Sequence, residues 1–396
     1  MNVLIVNAYS ARNRGDGMIV SQMVRLFRAR GCEVKVMSDD PRDGDRYDVE
    51  RLEPLAPIWP GENGGPSKPA IIARMGGDLV RPGQRQAFRW ADVCVSAGGG
   101  YLYDDGSRTA RLNAARRLLP LRAARRLGVP VVLFSQSIGP FRSALWRSIV
   151  GRELRHSRRV IVREELSLAV ARGMGLSPEL CDDVAFALEP GEPPAGAPEV
   201  RPGTIGVTAM SSLPGVDEAG HRRYLEELQA GLIESVGAAG RPVAVISQVS
   251  AHAGDDDVGV GTELCRRLVE AGLSAQFVDL GDAGDEEVSA FYGRLDLVVA
   301  SRLHSGILAL CAGTPIVALS YLPKTDGVLA RLGLDRWVLP AAGLRADPLA
   351  ATLRAALADT AALRHEIQAR LPELRASATR AVDLTLEVAK RSNLRA

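Results

Sequence analysis

The chain has 396 residues, of which 46% are hydrophobic and 24% charged, and its acids and bases nearly cancel to a formal +2 at pH 7. A mean hydropathy of +0.01 belongs to an ordinary globular protein, and the length favours roughly two domains over one. No overall field marks the chain for nucleic acid or a membrane surface, so an anionic ligand must be held locally.

Lysine occurs only at Lys35, Lys68, Lys324 and Lys390, against 45 arginines, a skew read as codon bias. The five cysteines, Cys32, Cys94, Cys181, Cys265 and Cys311, are far apart, odd in number and free of CxxC spacing. They read as reduced core residues of a cytosolic protein, without zinc or redox work. Residues 1–6 form an apolar run with no basic leader or cleavage site, which predicts a first strand rather than a signal peptide. No apolar stretch reaches the roughly 18 residues needed to span a bilayer. The expected location is therefore the cytoplasm, with peripheral membrane contact left open and oligomeric state undetermined.

Short β-branched runs alternate with amphipathic segments, the pattern of parallel sheets with crossover helices, so the fold class is α/β. Strands are predicted at 3–7, 33–37, 92–96, 129–135 and 159–163. The first opens into Asn13-Arg14-Gly15-Asp16, where Asn13 and Asp16 can hydrogen-bond hydroxyls and Asp16 can equally cap a helix. Residues 41–83 are long, irregular and rich in Pro and Gly, which suggests a loop able to close over a site. After strand 92–96 comes Gly98-Gly99-Gly100-Tyr101. Glycines there let a ligand approach the backbone, or simply make a flexible turn; neither a P-loop nor a GxGxxG spacing is present.

Residues 189–198, with four prolines and two glycines, cannot sustain a helix or ladder and mark a linker. A second series of strands follows at 204–209, 243–248, 275–280, 295–300 and 316–320, with helices including 222–236 and 288–293. The domains are placed at 1–190 and 200–374. From 346 onward a helix, a stop at Pro372 and a last helix over about 375–396 are expected, the last packing back on the first domain. Two doubly wound, Rossmann-like domains facing a cleft put ligands beyond the carboxyl ends of the strands.

The most informative loop is Ser301-Arg302-Leu303-His304, where a buried strand gives way to a helix. Arg302 offers a planar fork for carboxylate or phosphate, the helix start offers N–H donors, and His304 can give or take a proton near neutral pH. The bland reading makes Ser301 a cap, Arg302 an ion-pair partner and His304 a structural histidine. His252 also follows a strand and is a candidate acceptor contact. The adjoining Asp255-Asp256-Asp257 does not converge as a metal site without unusual backbone geometry, and a solvated charged turn is the default. Arg163 ends a strand as Arg302 does, so two arginines from different domains could grip one dianion. Lys324, just beyond strand 316–320, is either a chemical or a surface lysine. His156, His221 and His365 lie in arginine-rich helical patterns and read as solvated or capping.

Taken in order, Asn13-Arg14-Gly15-Asp16, Gly98-Gly99-Gly100, Ser137-Ile138-Gly139-Pro140, Arg163-Glu164 with Ser167, Cys181-Asp182-Asp183, Ser301-Arg302-Leu303-His304 and Tyr321 with Lys324 resemble the polysaccharide pyruvyl transferase family. The resemblance implies a fold similar to GT-B glycosyltransferases and transfer of pyruvate from phosphoenolpyruvate to a sugar. It implies Arg302 and His304 as catalytic residues, and Arg163, Arg302, Leu303, His304 and Lys324 as phosphoenolpyruvate contacts. The acceptor, lipid-linked or nucleotide-linked, would meet Asn13, Asp16, Gly98, Gly99, Gly100, Tyr101 and His252. No metal or cofactor is expected besides the donor substrate. The competing reading is a GT-B glycosyltransferase using a nucleotide sugar. A nucleic-acid binder is disfavoured: the arginine runs at 116–126 and 152–163 are interrupted by acids and apolar residues and read as solvated helix faces.

Overall fold

Ten strands form where the apolar runs predict them, because their residues are mostly apolar on both faces. Val3, Leu4, Ile5 and Val6 are all fully buried, and a strand with no polar face must be covered by helices above and below, the condition of a parallel sheet. The computed structural model describes residues 1–40, 43–56, 80–237, 239–252, 255–321 and 323–393. The chain divides into two units. Residues 1–11, 16–184 and 376–396 make unit 1, and residues 12–15 and 185–375 make unit 2.

Unit 1 carries β1 (Asn2–Ala8), β2 (Glu33–Ser38), β3 (Glu50–Leu52), β4 (Val93–Ser96), β5 (Gly99–Asp104), β6 (Val131–Phe141), β7 (Arg159–Val162) and β8 (Glu179–Leu180). They are ordered β3-β2-β1-β4-β6-β7-β8, with β5 on β6, and every pairing is parallel. The connecting helices are α1 (Arg14–Arg28), α2 (Asp43–Tyr47), α3 (Pro82–Trp90), α4 (Arg108–Arg126), α5 (Ala144–Leu154) and α6 (Glu165–Arg172). Ser107 and Ser143 cap α4 and α5, each side-chain oxygen accepting from a backbone N–H three residues on.

Unit 2 repeats the scheme with β9 (Ile205–Val207), β10 (Val243–Ile246), β13 (Ala275–Val278), β14 (Leu297–Ala300), β15 (Ile316–Ser320) and β16 (Val338–Pro340), and a hairpin of β11 (Ser250–His252) and β12 (Asp255–Asp256). Its main sheet runs β13-β10-β9-β14-β15-β16, parallel throughout. Helices α7 (Glu218–Leu232), α8 (Val258–Glu270), α9 (Asp285–Tyr292), α10 (Leu303–Cys311), α11 (Pro323–Ala330), α12 (Ala346–Ala358) and α13 (Thr360–Asn393) complete it, the last continuing into unit 1. In each sheet the chain winds outward one way and then the other. The winding reverses between β1 and β4 in unit 1 and between β9 and β14 in unit 2. At such switch points the loops diverge and leave room for a ligand.

Three expectations are corrected. The span 41–83 is not uniformly irregular, since α2, β3 and the start of α3 lie inside it; residues 57–79 lie outside the described residues. The Gly98–Gly100 stretch opens strand β5 instead of forming a flexible turn. A Cβ at Gly98 would stand 3.0 Å from the carbonyl oxygen of Ser135 and 3.1 Å from that of Phe134, so close backbone packing demands glycine there. Pro372 does not stop the last helix but lies within α13. Its missing N–H and ring cost one turn of bonding, while Leu363, Ile367, Leu371, Leu374 and Ala378 keep a buried stripe running past it. Residues 188–204 carry neither helix nor strand, as the proline-rich composition requires.

Candidate active site at the switch point of unit 2

The switch point of unit 2 is fastened by hydroxyl groups. Ser301, at the end of β14, donates its N–H to Thr208 Oγ1 at 3.0 Å and its hydroxyl to the Thr208 carbonyl at 2.6 Å. Tyr224 of α7 donates to Ser301 Oγ at 2.7 Å, and Ser305 Oγ donates to the Arg302 carbonyl at 2.6 Å. All four side chains are buried. Burial pushes the Tyr224 hydroxyl up to about 12, so it stays a donor at any working pH. Ser301 thus ties two strands together rather than capping the helix. That role falls to Arg302, whose extended backbone precedes α10 without a side-chain cap bond.

Arg302 projects from the helix start and is met by a carboxylate. Its Nε donates to Asp257 Oδ2 at 2.7 Å and its Nη2 to Asp257 Oδ1 at 2.9 Å. Asp257 is 1% exposed and the Arg302 side chain 13%. Asp257 Oδ1 also accepts the Ser211 N–H at 3.1 Å. Two parallel bonds fix the guanidinium plane, and burial makes the pair far more directional than a surface bridge. The default reading of the aspartate triple as a solvated turn is therefore wrong at its last member. Asp255 and Asp256 form β12, but Asp257 is buried just before α8 and orients the key arginine.

His304 is the second residue of α10, and its ring packs on the backbone of Gly15. A Cβ at Gly15 would fall 2.3 Å from His304 Nδ1 and 2.8 Å from its Cγ, distances no side chain tolerates. The short segment 12–15 is held on unit 2 independently of that contact. Asn13 makes a β-bridge to Val249, and the Arg14 guanidinium donates to the carbonyls of Ala283, at 3.1 Å, and Gly281. Arg302, Leu303, His304, Asn13 and Gly15 are thus brought together in one unit. Leu303 is 4% exposed and packs in the core. His252 falls in β11 and Lys324 in α11 by backbone, and their side chains lie outside the described residues.

The remaining sequence candidates sit in unit 1. At its switch point Asn7 Nδ2 donates to Ser96 Oγ at 2.9 Å, and the Tyr101 hydroxyl donates to the Ala97 carbonyl at 2.6 Å, with Ser96 Oγ at 2.8 Å. Burial pushes Tyr101 up to about 12, and the Arg117 guanidinium lies 5.0 Å from its ring centre. Gln136 Nε2 bonds the Gly99 carbonyl at 2.5 Å. Asp16 is in α1. Arg163 is fully buried, pairs through Nη1 with Asp183 and donates from Nε to Ser137 Oγ at 2.9 Å. Its Nη2 has no hydrogen-bond partner among the described residues. Ser167 accepts the Ile138 N–H at 2.6 Å and donates to Glu164; burial raises the Glu164 pKa, and that bond opposes the rise. The motifs around 137, 163–167 and 183 are therefore one buried polar network. All five cysteines are buried thiols. Among the described residues no cluster of His, Cys, Asp or Glu could hold a metal ion, and no helix is long and apolar enough to cross a membrane.

Comparison with known proteins places this geometry in context. The family model described as polysaccharide pyruvyl transferase matches residues 13–323. The amylovoran biosynthesis protein AmsJ of Erwinia amylovora is 23% identical over 372 residues, covering 84% of this chain and 86% of that protein. Among solved structures, the UDP-GlcNAc 2-epimerase of Neisseria meningitidis aligns with a TM-score of 0.59 at 9% identity, covering 98% of this chain and all of the other. A glycosyltransferase from Rickettsia africae aligns at 0.56 and 11% identity, covering 98% of each chain. These likenesses show the fold: two parallel-sheet α/β domains of the GT-B type.

Proposed function

Because the chain belongs to the polysaccharide pyruvyl transferase family, we propose that it moves pyruvate from phosphoenolpyruvate onto two hydroxyls of a sugar in a polysaccharide precursor or glycoconjugate, releasing phosphate. The observation that carries the reading is Arg302, held flat by Asp257 at the start of α10 with His304 two residues on. A guanidinium of fixed plane and the N-terminus of a helix suit the donor's carboxylate and phosphate.

In this reading His304 gives a proton to the methylene carbon of the donor, and the adjoining carbon becomes cation-like. One sugar hydroxyl attacks that carbon, the bond to the phosphate oxygen breaks, and the second hydroxyl closes the ketal. Of the two hydroxyl protons, one replaces the proton that His304 supplied to the new methyl group and the other leaves with phosphate. A positioned proton donor contributes roughly 10²–10⁴-fold in rate. Lys324 is assigned to the donor as well. Arg163 is assigned to the donor on the motif alone, since its side chain is fully buried in its bonds to Asp183 and Ser137. Asn13, Asp16, Gly98, Gly99, Gly100, Tyr101 and His252 are assigned to acceptor hydroxyls, and the work is assigned to the cytoplasm.

Thermal unfolding with added ligand tests the donor half. A ligand that binds only the folded chain raises its melting temperature, by an amount set by RT ln(1 + [L]/Kd). Phosphoenolpyruvate is expected to raise it for the wild type and not for Arg302→Ala. A rise with uridine or guanosine nucleotide sugars and none with phosphoenolpyruvate would replace this reading with a nucleotide-sugar transferase.

A further inference from the structure

The two arginine runs that read as solvated helix faces converge in unit 1. The carboxyl ends of α4 and α5 meet the amino ends of β6 and β7 and the last turns of α13 around a cavity of about 720 Å³. Arg125, Arg155, His156, Arg158, Arg159 and Arg391 line it. Its apolar floor is Val129, Val131 and Val388, all buried. No carboxylate lines it among the described residues. It opens at the amino ends of the strands, away from the switch-point loops, and nothing in the family reading uses it.

Basic residues at helix ends have an ordinary explanation, since each carboxyl terminus carries about half a negative charge. That accounts for Arg155, which donates to the Met174 carbonyl at 3.2 Å. Three glutamates at the rim absorb more. Glu153 pairs with Arg122 at 2.7 Å and Arg125 at 3.9 Å. Glu179 pairs with Arg159 at 2.6 Å and Arg380 at 3.4 Å, and Glu387 lies 3.1 Å from Arg159. Seven arginines against three glutamates and three helix ends leave a surplus of roughly two to three positive charges. Arg158 and Arg391, both exposed, have no ion-pair partner among the described residues. Exposed arginines usually spread apart in water; their convergence on one concavity calls for an anion of matching charge.

We propose that this cavity is a second anion site, which holds a phosphate or diphosphate group through the forks of Arg158 and Arg391. Guanidinium forks bind phosphate bidentately. The volume lies within the range of ligand pockets and exceeds what a lone phosphate fills, and the valine floor suits a ligand with an apolar portion next to its phosphate. A soluble phosphorylated molecule and a phospholipid headgroup share this chemistry.

The test uses inorganic pyrophosphate and full-length protein carrying Arg302→Ala, so that binding at the switch point of unit 2 does not enter. Calorimetric titration is expected to give one binding event. Adding Arg158→Ala and Arg391→Ala is expected to weaken it by at least about tenfold, the effect of losing charge-assisted bonds. Both residues are exposed, and matching melting curves show that the variants fold. A parallel arm measures co-sedimentation with phosphatidylcholine vesicles with and without phosphatidylglycerol. Binding to the anionic vesicles that the two substitutions abolish identifies a lipid headgroup as the source. Pyrophosphate binding without vesicle binding identifies a soluble ligand. If neither probe binds, or if binding survives both substitutions unchanged, the site does not exist.

Discussion

At the level of single residues the site depends on the pairing of Arg302 with Asp257. The arginine was legible because it ends an apolar strand and opens a helix, the place where sheet topology predicts a ligand. The aspartate was not, because it hides at the end of an acidic triple whose other members form an ordinary hairpin strand. Only the fold shows that one of three adjacent carboxylates is turned inward onto the guanidinium. Removing the charge of a buried partner leaves the arginine without its counter-ion, a loss of about 3–5 kcal/mol when the pair is sealed from water and less here, where Arg302 is 13% exposed. Asp257→Asn is expected to keep the fold, lower the melting temperature and raise KM for the pyruvyl donor by about tenfold or more, since a misaimed fork binds the anion poorly. A variant with unchanged KM would show that the pair is only structural. Gly15 illustrates the opposite kind of legibility. The motif containing it was visible, but its reason, the His304 ring lying on the glycine backbone, depends on a contact between residues nearly three hundred positions apart.

Among the elements, ten strands were read with their starts within two residues, because a buried parallel strand announces itself as an unbroken apolar run, while β6 runs on to Phe141 and the short β3, β8 and β16 were not read at all. Elements built from small or charged residues were missed. Gly99 and Gly100 begin a strand that composition marks as a turn, and α2, of sequence Asp-Gly-Asp-Arg-Tyr, has no periodicity to detect. Yet α2 fixes the end of β2: Asp43 is 1% exposed, accepts the Ala11 N–H at 3.0 Å and receives the Ser38 hydroxyl. Burial, with a smaller push from Asp40, outweighs those bonds and Arg51 and raises its pKa from 3.8 to about 6. Between those values the folded chain holds a proton that the unfolded chain has released, so stability falls as pH rises through that window and stays lower above it. A shift of about two units corresponds to at most about 3 kcal/mol. Chemical denaturation from pH 4 to 8 is expected to show this decline in the wild type and a flatter profile in Asp43→Asn, with the variant the more stable above pH 6. A wild-type stability that instead climbs across the window would refute the assignment.

On the scale of the whole molecule, two successive series of apolar strands separated by a proline-rich break predicted two doubly wound sheets, and the described residues form two parallel sheets and one small antiparallel hairpin. Less legible was the way the chain is shared between its units. The return of the last residues to unit 1 was expected; the grouping of residues 12–15 with 185–375, and the unbroken course of the final helix across residue 372, are set by contacts that no local pattern encodes. Pro372 shows why: a helix breaker by propensity, it is overridden by a stripe of buried residues on either side. The reaction proposed above is pyruvyl transfer from phosphoenolpyruvate with His304 as proton donor. The most direct measurement incubates the protein with phosphoenolpyruvate and a panel of sugar acceptors, and follows phosphate release and product mass for the wild type and His304→Ala. The expected result is an acceptor that gains a pyruvate ketal with one phosphate released per ketal, and a loss of turnover of roughly 10²-fold or more in His304→Ala. Undiminished ketal formation by that variant, or glycosyl transfer from a nucleotide sugar in place of ketal formation, would contradict it.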